Sequence, residues 1–134
     1  MPRRPKPPRS DQPTEHEEQA AVCQWAALVR EQYPELDLLF AIPNGARVAW
    51  TQAKKLRAEG LAAGVPDLML PVAREGYHGL FIEMKRRRGG NLSPEQKLWG
   101  DALRKQGYLV IMAAGADRAI TWLEKYLRSE RVLG

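Results

Sequence analysis

Asp67, Glu83 and Lys85 are the residues whose types and spacing point to chemistry. In the run Leu80-Phe81-Ile82-Glu83-Met84-Lys85, alternation along a strand puts Glu83 and Lys85 on one face with Phe81. Leu80, Ile82 and Met84 face the other way. Alone, the run also reads as a half-exposed strand with a surface Glu–Lys pair. Asp67, however, follows Pro66 at the head of another short apolar run. If the two runs pair, two carboxylates and an ammonium meet at one end of a sheet. Converging carboxylates repel each other unless a cation neutralises them. Oxygen ligands without His or Cys suit hard ions such as Mg²⁺ or Mn²⁺. Such an ion activates water and stabilises charge on a phosphate. A lysine beside it positions the attacking water or helps to deprotonate it. This is the minimum apparatus for hydrolysing a phosphodiester.

The elements that must position these groups follow from periodicity and punctuation. Thr14 is an N-cap for a helix over 15–33, with Val22, Trp25, Ala26 and Val29 at helical spacing and Pro34 as its stop. The apolar run 36–42 predicts a strand, closed by the turn Pro43-Asn44-Gly45. A helix is expected over 46–59, with Gly60 as its cap. Strands over 67–70 and 79–85 are close enough to form a hairpin. A loop over 86–92 leads to Ser93-Pro94-Glu95-Gln96, a capping box with proline at the first helical position. That helix should run to about 106, followed by a strand over 108–113 and a last helix over 117–127. The order αβαββαβα implies an α/β fold with a mixed four-stranded sheet flanked by helices.

Composition bounds the rest. The chain has 134 residues, 44% hydrophobic and 28% charged, which suits one globular domain. No apolar run approaches the roughly 20 residues that span a bilayer, so no membrane partner is expected. Residues 1–14 are basic and rich in proline, a disordered arm without the apolar stretch of a secretory signal. The folded domain is then 15–134. Cys23 is the only cysteine, which excludes an internal disulfide and a four-cysteine zinc site and fits a reducing cytoplasm. The net charge is +5 and unevenly spread, with Lys85, Arg86, Arg87 and Arg88 consecutive. A basic cluster points to a polyanion partner. His16 and His78 receive no catalytic role, and the four tryptophans sit within predicted helices as core or interface residues.

Pro66-Asp67, then Glu83-Met84-Lys85, resembles the motif of the PD-(D/E)xK nucleases. Ile42-Pro43-Asn44-Gly45, Gly64-Val65-Pro66-Asp67-Leu68 and Leu92-Ser93-Pro94-Glu95-Gln96 narrow this to the VRR-NUC family, whose stand-alone phage and bacterial members have this size and layout. The resemblance covers residues 15–127 and implies a restriction-endonuclease-like core. It implies a metal-dependent, structure-selective DNA endonuclease of the Holliday-junction-resolvase kind. Flap or nicking activity on other branched DNA, or a catalytically silent phage DNA-binding protein, are the alternatives. The resemblance assigns Asp67 and Glu83 to Mg²⁺ or Mn²⁺, with the Met84 backbone carbonyl as a further ligand and Lys85 beside the attacking water. It also implies a helical glutamate near the metal: Glu15, with Glu18 as the alternative. Gln19 shares the face of Glu15. Gln96 either caps its helix or supports Lys85 and the scissile phosphate. Arg86, Arg87, Arg88 and Asn44 are the expected DNA contacts. Implied partners are branched DNA, foremost a four-way junction, and a second copy in a homodimer, to whose interface the last helix, with Trp122 and Tyr126, is expected to contribute. No organic cofactor is implied, and the expected location is the cytoplasm of a bacterium or phage-infected host.

Overall fold

The computed structural model describes residues 11–43 and 50–130. The elements are α1 (Glu15–Leu28), a 3₁₀ turn (Pro34–Leu38), β1 (Phe40–Ala41), α2 (Trp50–Ala58), β2 (Leu68–Leu70), β3 (Leu80–Lys85), α3 (Pro94–Lys105), β4 (Leu109–Ala114) and α4 (Ala116–Arg128). The sheet order is β1-β2-β3-β4, antiparallel from β1 to β3 and parallel between β3 and β4. The fold is the expected mixed α/β arrangement.

Two elements are shorter than periodicity predicts. The helix over 15–33 ends at Leu28, and Gln32 and Tyr33 both donate to the Val29 carbonyl in tight turns. The run 36–42 is not one strand. Pro34 opens a 3₁₀ turn at its first position, and only Phe40 and Ala41 join the sheet. A short apolar run carries no periodicity that separates a strand from a helical turn. The expected turn at 44–45 and the start of the helix over 46–59 lie outside the described residues.

The core fills the face of the sheet that carries Leu80, Ile82 and Met84. Val22 and Ala26 of α1 and Ala119, Leu123 and Leu127 of α4 pack against it. Full burial of each such Leu, Ile or Met side chain stabilises the fold by about 1.5–3 kcal/mol. Tyr126 is buried in the same core and its hydroxyl donates to the Val72 carbonyl. It is therefore unavailable as a dimer contact, whereas Trp122 is only half-buried, with the Lys125 ammonium above its ring. The opposite face is covered in part by α3, so that all six residues of β3 are buried. The reading of β3 as a half-exposed strand is thereby excluded.

Two close approaches set the frame of the site. Gly64 has φ +90°, and a Cβ there would lie 2.7 Å from the Glu95 backbone. The loop that leads into Asp67 is thus pressed against the first turn of α3. Gly115, φ +99°, opens α4 without a side-chain cap of its own. Glu18 of α1 supplies the cap instead: its Oε2 accepts the Ala116 N–H at 2.8 Å. A Cβ at position 115 would sit 2.7 Å from that oxygen, so only glycine lets the carboxylate in.

A carboxylate pair at the end of the sheet

The register pairs Leu68 with Ile82 and Leu70 with Leu80, which sets Asp67 opposite Glu83. The next ladder exchange would fall at Pro66 and Met84. Pro66 has no N–H to give, so pairing stops there. The Met84 N–H donates instead to Asp67 Oδ2 at 2.8 Å. Within a strand a residue's N–H and carbonyl leave on the same edge, so the Met84 carbonyl faces the edge where the two acids meet. The side chain of Met84 stays in the core, fully buried.

Asp67, Glu83 and Lys85 are only 3%, 5% and 7% exposed. Acids and lysines are rarely buried so completely without a specific purpose. Lys85 Nζ stands 3.6 Å from Glu83 Oε1 and donates to Gln96 Oε1 at 3.0 Å. Gln96 Nε2 in turn donates to Glu83 Oε1 at 2.7 Å. The same Gln96 Oε1 accepts the Ser93 N–H at 2.8 Å, and Ser93 Oγ accepts the Gln96 N–H. The capping box and the contact with the site were alternatives in the sequence. The amide performs both, because its oxygen accepts two donors while its nitrogen reaches the acid.

Burial is the largest cause that pushes the Glu83 carboxyl up to about 8. The Asp67 charge adds to it, the Lys85 ammonium opposes it, and a proton shared with Asp67 and the charge of Glu15 raise it further. With both acids ionised, Glu83 Oε2 is buried and has no donor. Gln19 Oε1 on α1 is a second buried acceptor without a donor. Two facing carboxylates, one with an unmatched oxygen, fit a hard divalent cation. Among the described residues no group of three or more His, Cys, Asp or Glu side chains converges as a ready-made cage, so the protein would offer this ion two acids and backbone oxygen.

The two helical acids differ in their surroundings. Glu15 is near enough for its charge to act on Glu83. Glu18 is 2% exposed and already engaged, with the Ala116 N–H on one side and Arg87 Nε at 3.3 Å on the other. Glu18 is thus a structural anchor joining α1, α4 and the segment after β3. Nothing in the sequence marks that role, since its partners lie far along the chain. Arg86, Arg87 and Arg88 are all exposed, but Arg87 is engaged in this ion pair with Glu18. Gln12 exchanges two hydrogen bonds with the Arg88 backbone, which ties residues next to the basic arm to the basic run. Asn44 lies outside the described residues.

Comparison with known proteins places these features in a family. The model of the VRR-NUC domain matches residues 6–117. A solved structure described as a VRR_NUC domain protein superposes with a TM-score of 0.76 at 31% identity, covering 90% of this chain and 93% of the other. No curated protein matches.

Proposed function

Because the chain belongs to the VRR-NUC domain family, whose fold brings a nuclease-type, DNA-processing function, we propose that it is a structure-selective DNA endonuclease dependent on Mg²⁺ or Mn²⁺. The observation that carries this reading is the unmatched Glu83 Oε2, buried opposite Asp67 and beside a pinned lysine. A divalent cation bound there would neutralise the carboxylate pair, polarise the phosphate and make water a better nucleophile at neutral pH.

The chain's own residues have distinct tasks. Asp67 and Glu83 hold the ion, with the Met84 carbonyl on the same edge as an additional oxygen. Met84's N–H fixes the Asp67 carboxylate, so one backbone unit orients both. Lys85 has three donors: Gln96 takes one, and Glu83 Oε1 stands 3.6 Å away as its ion-pair partner. A donor not held by Gln96 serves the attacking water or a phosphate oxygen. Gln96 keeps both Glu83 and Lys85 from turning away. Glu15 adds negative charge near the pair and completes or supports the site. Arg86 and Arg88 bind DNA phosphates, which fixes position without reading sequence. Asn44, outside the described residues, is proposed as a further DNA contact.

The preferred substrate in this proposal is a four-way junction cut by a two-fold homodimer, since one such site cuts one strand and resolution needs two symmetric cuts. The setting is the cytoplasm of a bacterium or phage-infected host; among the described residues no helix is long and apolar enough to cross a membrane. Incubation with labelled linear, flap and four-way DNA in Mg²⁺ tests the preference. Paired symmetric cuts in the junction support the resolvase assignment. Faster cutting of flaps makes the enzyme a flap nuclease, and binding without cutting makes it a silent DNA-binding protein.

A further inference from the structure

A cavity of about 230 Å³ opens between α3 and β4. Glu83 and Gln96 form part of its wall, so it is continuous with the carboxylate site. Leu92, Val110 and Met112 make its apolar side. Met112 is 44% exposed, whereas its neighbours Val110, Ile111 and Ala113 on β4 are buried. The rim is polar. Arg104 Nη1 donates to Asp101 at 3.2 Å and Nη2 to the Val110 carbonyl at 3.0 Å, which holds the guanidinium plane in place.

The cavity depends on a missing side chain. Gly100 lies buried within α3 and in the cavity lining. A glycine inside a helix is less favourable than alanine by roughly 0.5–1 kcal/mol. A Cβ at this position would come 3.2 Å from Arg104 Nη1 and 3.7 Å from Val110 Cγ1. Alanine would therefore strengthen the helix while narrowing the cavity and crowding the guanidinium.

Size limits the occupant. The space is several times the roughly 30 Å³ of a water molecule and below the ~300–1,000 Å³ of sites for drug-sized ligands. A space of this size suits one planar ring system. We propose that this cavity receives an unstacked nucleobase of the strand being cut, beside the scissile phosphate at Asp67 and Glu83. The proposal rests on the nuclease reading above. Aliphatic and thioether walls suit the faces of a base, and the held Arg104 plane stacks on it. Gln96, Lys97 and Asp101 offer both donors and acceptors to its edge. A base inside intact duplex enters only after unpairing, at a few kcal/mol. A base at a branch, flap or gap is already partly unstacked and enters more easily. The cavity thereby gives preference for branched DNA without reading sequence.

The test places 2-aminopurine in turn at each position around the branch of a four-way and a flap substrate, with the full chain in EDTA so that no strand is cut. Fluorescence should rise several-fold at one position per strand and stay level at the others. Gly100→Ala should abolish that rise and weaken cleavage about tenfold in Mg²⁺, while its melting temperature equals or exceeds that of the wild type. Met112→Trp, a change at an exposed position, should do the same by filling the mouth. A uniform rise, or none, from a wild type that does cut branched DNA overturns the base pocket and leaves the nuclease reading standing. Unchanged fluorescence and cleavage in both variants also overturn it. A wild type that cuts no DNA with Mg²⁺ or Mn²⁺ counts instead against the nuclease reading, and this proposal falls with it.

Discussion

Replacing Glu83 by glutamine should make the metal-free protein more stable at pH 8 than the wild type, although it removes a site residue. In the folded chain Glu83 titrates at about 8 instead of 4.5, because burial and then the Asp67 charge disfavour its ionised form. The folded state therefore keeps a proton that the unfolded state has released. Stability from this proton is fully present below about pH 4.5 and is lost as pH rises through 8. Each pH unit in that window is worth about 1.4 kcal/mol, so roughly 3 kcal/mol disappears between pH 5 and pH 8. Glutamine keeps the shape, cannot ionise, and can donate to Asp67. Urea unfolding in EDTA at pH 5, 6.5 and 8 would follow the difference. The two proteins should be closest at pH 5, and Glu83→Gln should lead by about 2–3 kcal/mol at pH 8. Adding Mn²⁺ at pH 8 should stabilise the wild type much more than the variant. Parallel pH profiles for the two proteins would refute the claim that these carboxylates confront each other in a buried site.

Other consequences follow from single contacts. Gln96→Ala should reduce cleavage by about 10²-fold, the scale of lost positioning, while Gln96→Glu fails to restore it; single-turnover rates on a labelled junction would check both. Glu18→Ala should destabilise the protein by about 1–3 kcal/mol, because the buried Ala116 N–H loses its acceptor; thermal unfolding measures this. Arg86→Ala and Arg88→Ala should each lower the magnitude of the log K versus log [salt] slope by about 0.9 on duplex DNA, and Arg87→Ala by less because Glu18 already holds it; binding titrations at several salt concentrations would show the order. Light scattering with and without junction DNA should report a dimer, with Tyr126 buried inside each protomer and not between them.

The part of the site made by local sequence was legible from residues alone. Alternation along 80–85 assigns Glu83 and Lys85 to one face, and the Pro66-Asp67 pair falls opposite them once the hairpin forms. Ser93 and Gln96 mark a helix start, but the sequence offers capping and site contact as alternatives, since no spacing rule says that one amide oxygen will accept from both Ser93 and Lys85. Glu18 is out of reach for a different reason. Its role depends on Gly115 and Arg87 arriving beside α1, and a helix pattern gives no hint of partners so distant in the chain. The run 36–42 misleads because Leu-rich segments of that length suit a 3₁₀ turn and a strand alike. The cavity at Gly100 is also invisible, because a helical glycine reads as a weakness until the strand beneath it is placed.

The most direct test of the central claim is cleavage of a labelled four-way junction by the wild type and by Asp67→Ala/Glu83→Ala, each in Mg²⁺ and in EDTA, with binding of the same DNA measured in parallel. Cleavage should occur only with the wild type in Mg²⁺, while the double variant still binds the junction. Wild-type rates from the double variant, or cutting that persists in EDTA, would contradict the assignment of these two carboxylates as the metal-holding centre of a nuclease.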